Sequence, residues 1–295
     1  MKKKILVTGA LGQLGQAVLE EFHNHYHVIG VDLHDNSPNY PIKYIPLDIT
    51  DNKKVKQVIE KEQPDTILHL AAMTNVDGCE INPELAFKIN VSAVETLCAL
   101  TENRHFIHIS SDYVFDGKNG PYSETDKVNP INVYGQNKLD SENIVKKYKG
   151  TWTILRTNVV FDYTKDSDAS FVKWVVDSLK AGKPIRVVDD QWNNPTWTVS
   201  MARTLRLIVD REAGGLFNYS GRDWLHRLDF ALLIADIFEL NKDLISPIST
   251  ADLKQAAKRP LKSGLITPLI EEKLGVTCDP LDDCLKEIKH RIESN

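Results

Sequence analysis

The chain has 295 residues, enough for one large domain or two smaller ones around a sizeable core. Its 36 basic and 41 acidic residues leave a formal net charge of −5, which argues against a nucleic-acid surface and for small-molecule partners. The four cysteines (Cys79, Cys98, Cys278 and Cys284) form neither a C-x-x-C pair nor a secreted disulfide pattern, and no apolar run approaches the ~18 residues of a membrane span, so a soluble cytoplasmic protein is expected.

Met1-Lys-Lys-Lys4 is followed by only three apolar residues, Ile5-Leu-Val7, which is too short for a signal peptide and reads as a first buried strand. Apolar runs then alternate with amphipathic segments. A helix is predicted over 13–24, a strand at His27–Val31, a strand at Tyr44–Leu47 and a helix over 51–62. The pattern continues with a strand at Thr66–Leu70, a helix over 83–101, a strand at Phe106–Ile109, a helix over 131–148 and a strand at Thr153–Arg156. This rhythm predicts an α/β fold, a Rossmann-type doubly wound parallel sheet covered by helices on both faces.

Beyond residue 160 the pattern loosens. Helices are predicted over 170–181, 199–211, 228–239 and 281–292, with a strand at Gly215–Asn218 and prolines punctuating the loops. The division expected is a dinucleotide-binding domain over 1–160, to which 199–222 return, and a smaller carboxy-terminal substrate-binding lobe over most of 161–295. No internal repeat or low-complexity tract is present.

Thr8-Gly9-Ala-Leu11-Gly12-Gln13-Leu14-Gly15 sits where the first strand turns into a helix, so its glycines can bring backbone N–H groups to a pyrophosphate at the helix's positive end. Asp32 ends the next strand, 17 residues after Gly15, and is placed to accept hydrogen bonds from an adenosine ribose. Its charge would repel a 2′-phosphate, which favours NADH over NADPH. Asp48 and Ile49 end the third strand, where adenine could lie; Ala71, Ala72 and Thr74 follow the fourth, offering small side chains beside a cofactor. Asn90 is polar within an apolar helix face, and it either positions a water or backbone near Lys138 or caps a local carbonyl.

Tyr134 and Lys138 are four residues apart on a predicted helix, which puts phenol and ammonium on one face, where the cation would favour tyrosinate. Ser111, at a strand end 23 residues upstream, can hydrogen-bond a substrate carbonyl while Tyr134 delivers a proton. Trp192 flanks the Pro195-Thr196 block in a polar loop and is a candidate stacking surface. Arg259, in a basic stretch with Lys254, Lys258 and Lys262, is a candidate for a substrate diphosphate. His23-Asn-His25-Tyr-His27 lacks a matching carboxylate cluster, so no metal site is expected.

These blocks, together with Ser111-Asp112-Tyr113-Val114-Phe115-Asp116-Gly117, Asp190-Gln191 to Pro195-Thr196 and Arg259-Pro260-x-x-Ser263, resemble the extended short-chain dehydrogenase/reductase superfamily, and within it the dTDP-4-dehydrorhamnose reductase family. The resemblance implies reduction of the C4 ketone of a nucleotide-linked 4-keto-6-deoxy sugar by NADH or NADPH. It implies Tyr134 as proton donor, Lys138 on the nicotinamide ribose and Ser111 on the ketone. Substrate contacts are implied for Ser111, Asp112, Val114, Asn158, Trp192, Pro195, Thr196 and Arg259. The chain departs from the family's pattern at Asn158-Val159-Val160-Phe161-Asp162, at the glycine-free 190–195 loop and at Val199-Ser200-Met201. Alternatives are an epimerase of the same superfamily and a non-catalytic dinucleotide-binding subunit resembling methionine adenosyltransferase beta. A homodimer is compatible with all three.

Overall fold

The computed structural model describes residues 2–36, 38–164 and 170–294. The first half runs β1 (Lys4–Thr8), α1 (Gln13–Phe22), β2 (His27–Asp32), β3 (Lys43–Pro46), α2 (Asn52–Glu62), β4 (Thr66–His69), α3 (Val76–Ile81), α4 (Pro83–Phe87), a π-helical turn (Lys88–Ser92), α5 (Ala93–Leu100), β5 (His105–Ser111) and α6 (Val133–Val145). The second half runs β6 (Thr151–Thr157), β7 (Val160–Phe161), α7 (Phe171–Lys180), β8 (Ile185–Val188), β9 (Trp192–Asn193), β10 (Thr196–Trp197), α8 (Thr198–Arg211), β11 (Gly215–Asn218), β12 (Leu225–His226), α9 (Arg227–Ile237), β13 (Ile245–Ile248), α10 (Thr250–Leu253), α11 (Pro268–Leu274) and α12 (Leu281–Glu293).

Seven strands form one parallel sheet in the order β11-β6-β5-β4-β1-β2-β3. Both faces are covered, so β1, β4 and β5 are almost wholly buried rather than alternating. One face packs α1 and α8 against the sheet through Val18, Leu19, Phe22, Met201, Leu205 and Ile208. The other packs α2, α5 and the end of α6 through Val55, Ile59, Val94, Leu97 and Val145. A separate core joins α7, β8, α9 and α12 around Val175, Val176, Phe230, Ile234 and Leu285. The strand order reverses between β1 and β4, so their carboxy-terminal ends open a crevice.

The helix predicted over 83–101 is interrupted. Asn90 accepts from Met73 N at 2.8 Å and donates to Met73 O at 3.0 Å, and the chain around it widens into the π turn. The predicted helix over 131–148 is trimmed to Val133–Val145, because Asn132 caps it through Gly135 N at 2.8 Å. Elements that the sequence reading did not predict include α3, α11 and the parallel strands β8 and β13, whose paired residues lie sixty positions apart.

Beneath α6, Glu142 and Arg156 form a fully buried two-pronged ion pair with both N···O distances at 2.8 Å, and Ser110 Oγ donates to the same carboxylate at 2.7 Å. This ties the helix that carries Tyr134 to β5 and β6. Glu142→Gln removes the charge but keeps the shape, leaving Arg156 uncompensated; urea denaturation is expected to show a loss of about 3–5 kcal/mol.

Three histidines lie buried in the sheet: His69 bonds Thr8 Oγ1 at 2.8 Å, His105 bonds Thr153 Oγ1 at 2.8 Å and His108 bonds Ser141 Oγ at 2.9 Å. Burial pushes His69 down to about 3, His105 to about 4, and His108 well below the usual value. The folded state resists protons that the unfolded chain takes up below ~6.5, so stability is full above that pH and falls as pH drops toward 4, by up to ~1.4 kcal/mol per unit for each ring. Urea melts at pH 7, 6 and 5 are expected to show this decline. His105→Gln should make it shallower; an unchanged slope would remove His105 from the account.

Candidate active site

The crevice at the sheet's carboxy-terminal edge is a cleft of about 1650 Å³. Its floor at one end is the glycine turn. Gly9 has φ +70°, and a Cβ there would stand 2.8 Å from Ala71 N; a Cβ on Gly15 would stand 2.1 Å from Gly9 O. Gly12 begins α1 without a side-chain cap, so the helix's first N–H groups are left to the cleft. Asp32 closes this end: Oδ2 accepts from Leu11 N at 3.0 Å and Oδ1 from Leu33 N at 2.8 Å. Close backbone, a bare helix start and a carboxylate together fit a dinucleotide's pyrophosphate and ribose.

At the other end, Ser111 closes β5, accepting from Tyr113 N at 3.2 Å and donating to Asp112 Oδ1 at 3.1 Å. Tyr134 stands on the first turn of α6. Lys138, one turn on, donates to Ile109 O at 3.0 Å and lies 5.9 Å from the Tyr134 ring centroid. Burial pulls the Lys138 ammonium down to about 8, against the pull of Cys79 and Glu142. The expectation that this cation favours tyrosinate is corrected here. Burial raises the Tyr134 phenol, outweighing a hydrogen bond from Ser111, so the surroundings disfavour tyrosinate. Tyr113 packs edge-on to Tyr134 with centroids 5.5 Å apart.

Asp112 is a buried carboxylate with no ion-pair partner among the described residues. Ser263 Oγ donates to it at 2.5 Å, Ser111 Oγ at 3.1 Å and Asn158 Nδ2 at 3.5 Å. Burial raises its pKa despite these donors. The 263 loop is thereby fastened to the residue beside Ser111.

Most of the residues singled out in the sequence line this one cleft: Gly9, Leu11, Gly12, Gln13, Leu14, Gly15, Asp32, Asp48, Ile49, Ala71, Ala72, Thr74, Ser111, Asp112, Tyr134, Lys138, Asn158 and Arg259. Five stand elsewhere. Asn90 spends its amide on Met73, shaping the segment after β4 from behind. Val114 packs with Phe115, Tyr122 and Leu265 in a small apolar core. Trp192 leaves the cleft wall and packs against Trp224, with centroids 4.7 Å apart. Pro195 and Thr196 lie behind the cleft, where Thr196 Oγ1 donates to Asn158 Oδ1 at 3.5 Å. Arg259 lines the cleft but is paired with Asp77 at 2.8 Å.

Sequence reading gave no role to Tyr113, Phe171 and Arg227 and favoured packing for Trp174, yet all four line it. Phe171, Trp174 and Arg227 lie on α7 and α9, whose apolar spacing reads as packing, and only the fold brings them to this wall. Among the described residues no group of His, Cys, Asp or Glu is arranged to hold a metal, and no helix is long and apolar enough to cross a membrane.

A family model described as the RmlD substrate binding domain matches residues 2–293. The chain is 33% identical to the "Probable low-salt glycan biosynthesis reductase Agl14" of Haloferax volcanii over 288 residues, covering 96% of each. It is 32% identical to dTDP-4-dehydrorhamnose reductase of Aggregatibacter actinomycetemcomitans, covering 98% of this chain and 99% of that one, and 30% identical to methionine adenosyltransferase 2 subunit beta of Danio rerio, covering 97% and 90%. The crystal structure of dTDP-4-dehydrorhamnose reductase from Bacillus anthracis in complex with NADP matches with a TM-score of 0.87 at 27% identity, over 100% of this chain and 99% of that one. The chain belongs to the dTDP-4-dehydrorhamnose reductase family of the extended short-chain dehydrogenase/reductases, and is an NAD(P)H-dependent oxidoreductase.

Proposed function

We propose that the protein reduces the C4 ketone of a nucleotide-linked 4-keto-6-deoxy sugar, dTDP-4-dehydrorhamnose to dTDP-rhamnose. The observation that carries this reading is a buried Tyr134 set beside Ser111 and backed by Lys138, in the cleft that the glycine turn opens into, where burial raises the phenol. Reduction consumes a proton at the ketone oxygen, and a protonated phenol is the form required.

Gly9, Leu11, Gly12, Gln13, Leu14 and Gly15 hold the pyrophosphate on backbone N–H groups, and Asp32 accepts from ribose hydroxyls. Asp48 and Ile49 border the adenine, and Ala71, Ala72 and Thr74 let the dinucleotide lie close to the chain. A reduced nicotinamide supplies the hydride when bound. Tyr134 gives its proton to the C4 oxygen. Ser111 turns its hydroxyl from Asp112 to the same oxygen, and Lys138 offsets the charge left on the phenolate. Asp112 and Asn158 orient the sugar. Residues 1–160 with 199–222 serve the dinucleotide, and the rest of 161–295 serves the substrate.

Absorbance of the nicotinamide band is to be followed with dTDP-4-keto-6-deoxyglucose, with and without a 3,5-epimerase. Epimerase-dependent oxidation is expected; oxidation without it would name a different 4-keto sugar, and no oxidation would sink the reading. Tyr134→Phe is expected to lower kcat by about 10²–10⁴ while dinucleotide affinity is retained. NADH is expected to surpass NADPH in kcat/KM by about tenfold or more, because the Asp32 carboxylate opposes a 2′-phosphate. Asp32→Ser should narrow that gap, and equal use of both by the unaltered protein would refute the preference.

A further inference from the structure

Four basic side chains line the cleft, and two of them are already engaged: Lys138 on Ile109 O and Arg259 on Asp77. Arg186 stands exposed on β8 at the rim. Arg227 is different. It opens α9, its backbone N–H donates to Gln191 O at 3.0 Å, and its guanidinium lies over the Phe171 ring, 4.8 Å from the centroid. Among the described residues that guanidinium makes neither an ion pair nor a hydrogen bond. Asp112 is close enough to influence it, but the donors on Asp112 are Ser111, Asn158 and Ser263.

A guanidinium in partly desolvated surroundings gains from a close counter-charge, and among the described residues none of its five donors is bonded to a protein group. Aromatic stacking compensates one face of the plane and leaves the edge, where the N–H groups project, free for an acceptor. We propose that Arg227, held flat by Phe171, is the residue that anchors the diphosphate of the nucleotide-linked substrate, a task the sequence pattern had pointed to Arg259 to perform. This rests on the nucleotide-sugar reading above. It also sets the substrate's course: the sugar toward Ser111 and Tyr134, the phosphates at the start of α9. Arg259 serves instead as the strap that binds the 257–263 loop to Asp77; Ala257 N donates to the same carboxylate at 2.9 Å.

Calorimetric titration of dTDP, dTMP and thymidine into the unaltered protein, Arg227→Gln and Arg227→Lys tests this. Arg227→Gln is expected to weaken dTDP binding at least tenfold and dTMP less, with thymidine and NADH affinities unchanged. Arg227→Lys should recover part of the loss, because it restores the charge but not the planar fork. Equal dTDP affinity in Arg227→Gln, or an equal fractional loss for thymidine, overturns the inference while leaving the function standing. If the unaltered protein binds NADH but no dTDP, the dTDP reading and this inference fall together.

Discussion

The site depends on how closely two strand ends approach at the point where the sheet's order reverses. Thr8, the last residue of β1, accepts hydrogen bonds at Oγ1 from Leu70 N and Ala71 N, each at 3.2 Å, and bonds the His69 ring. That side chain fastens the end of β1 to the segment leaving β4, and it brings the Gly9 backbone against Ala71 so closely that no side chain fits between them. With the strand ends locked, α1 starts at a fixed place over the crevice, and the next strand along, β5, delivers Ser111 to the same edge. Polar atoms buried in a sheet must be paired; here the pairing is what sets the width of the cleft floor.

The reactive end follows a different rule, the balance between burial and charge. Lys138 lies one turn from Tyr134, and spacing alone makes it the controlling charge. In the fold, however, the ammonium is itself buried and directed at Ile109 O, and the phenol lies among Cys79, Ala86, Tyr113 and Val133. Desolvation of a would-be phenolate then outweighs an ammonium held to a carbonyl. A one-turn spacing records neighbourhood but carries no information on dielectric surroundings, so it brings the two side chains together without showing how burial shifts them.

The same distinction explains which parts of the architecture are legible in the sequence. Strands buried on both faces appear as short apolar runs, and Gly215–Asn218 coincides with its predicted bounds although it joins the sheet beside β6, far away in sequence. Most of the cleft residues legible in advance sit at strand ends or in the glycine turn, where local chain geometry dictates residue type; Tyr134 and Lys138 are legible instead from their one-turn spacing on a helix, and Arg259 from its basic stretch. Asn90 is legible as an anomaly but not as a cause: it distorts its helix through Met73, a partner only the fold supplies. Val114, Trp192, Pro195 and Thr196 belong to the blocks that carry the family resemblance, yet the cleft wall is built from other residues nearby, and these four support it from behind or beside.

Charge makes the last distinction. Two arginines reach the substrate half of the cleft interior, and the sequence favours Arg259 because it lies in a basic stretch, whereas Arg227 sits between His226 and Leu228 at the head of an apolar helix. Basic surroundings, however, do not measure what a cation is free to do. Asp77 lies 182 residues from Arg259 and consumes its charge, so a phosphate arriving there would first compete with a carboxylate at 2.8 Å. Among the described residues Arg227 has no such ion-paired carboxylate, and Phe171 orients it without neutralising it. Where ligand charge must be met in a partly desolvated cleft, a cation with no ion-pair partner among the described residues gains most from the ligand, and on that ground the start of α9, rather than the basic loop, is the end proposed for the substrate's phosphates.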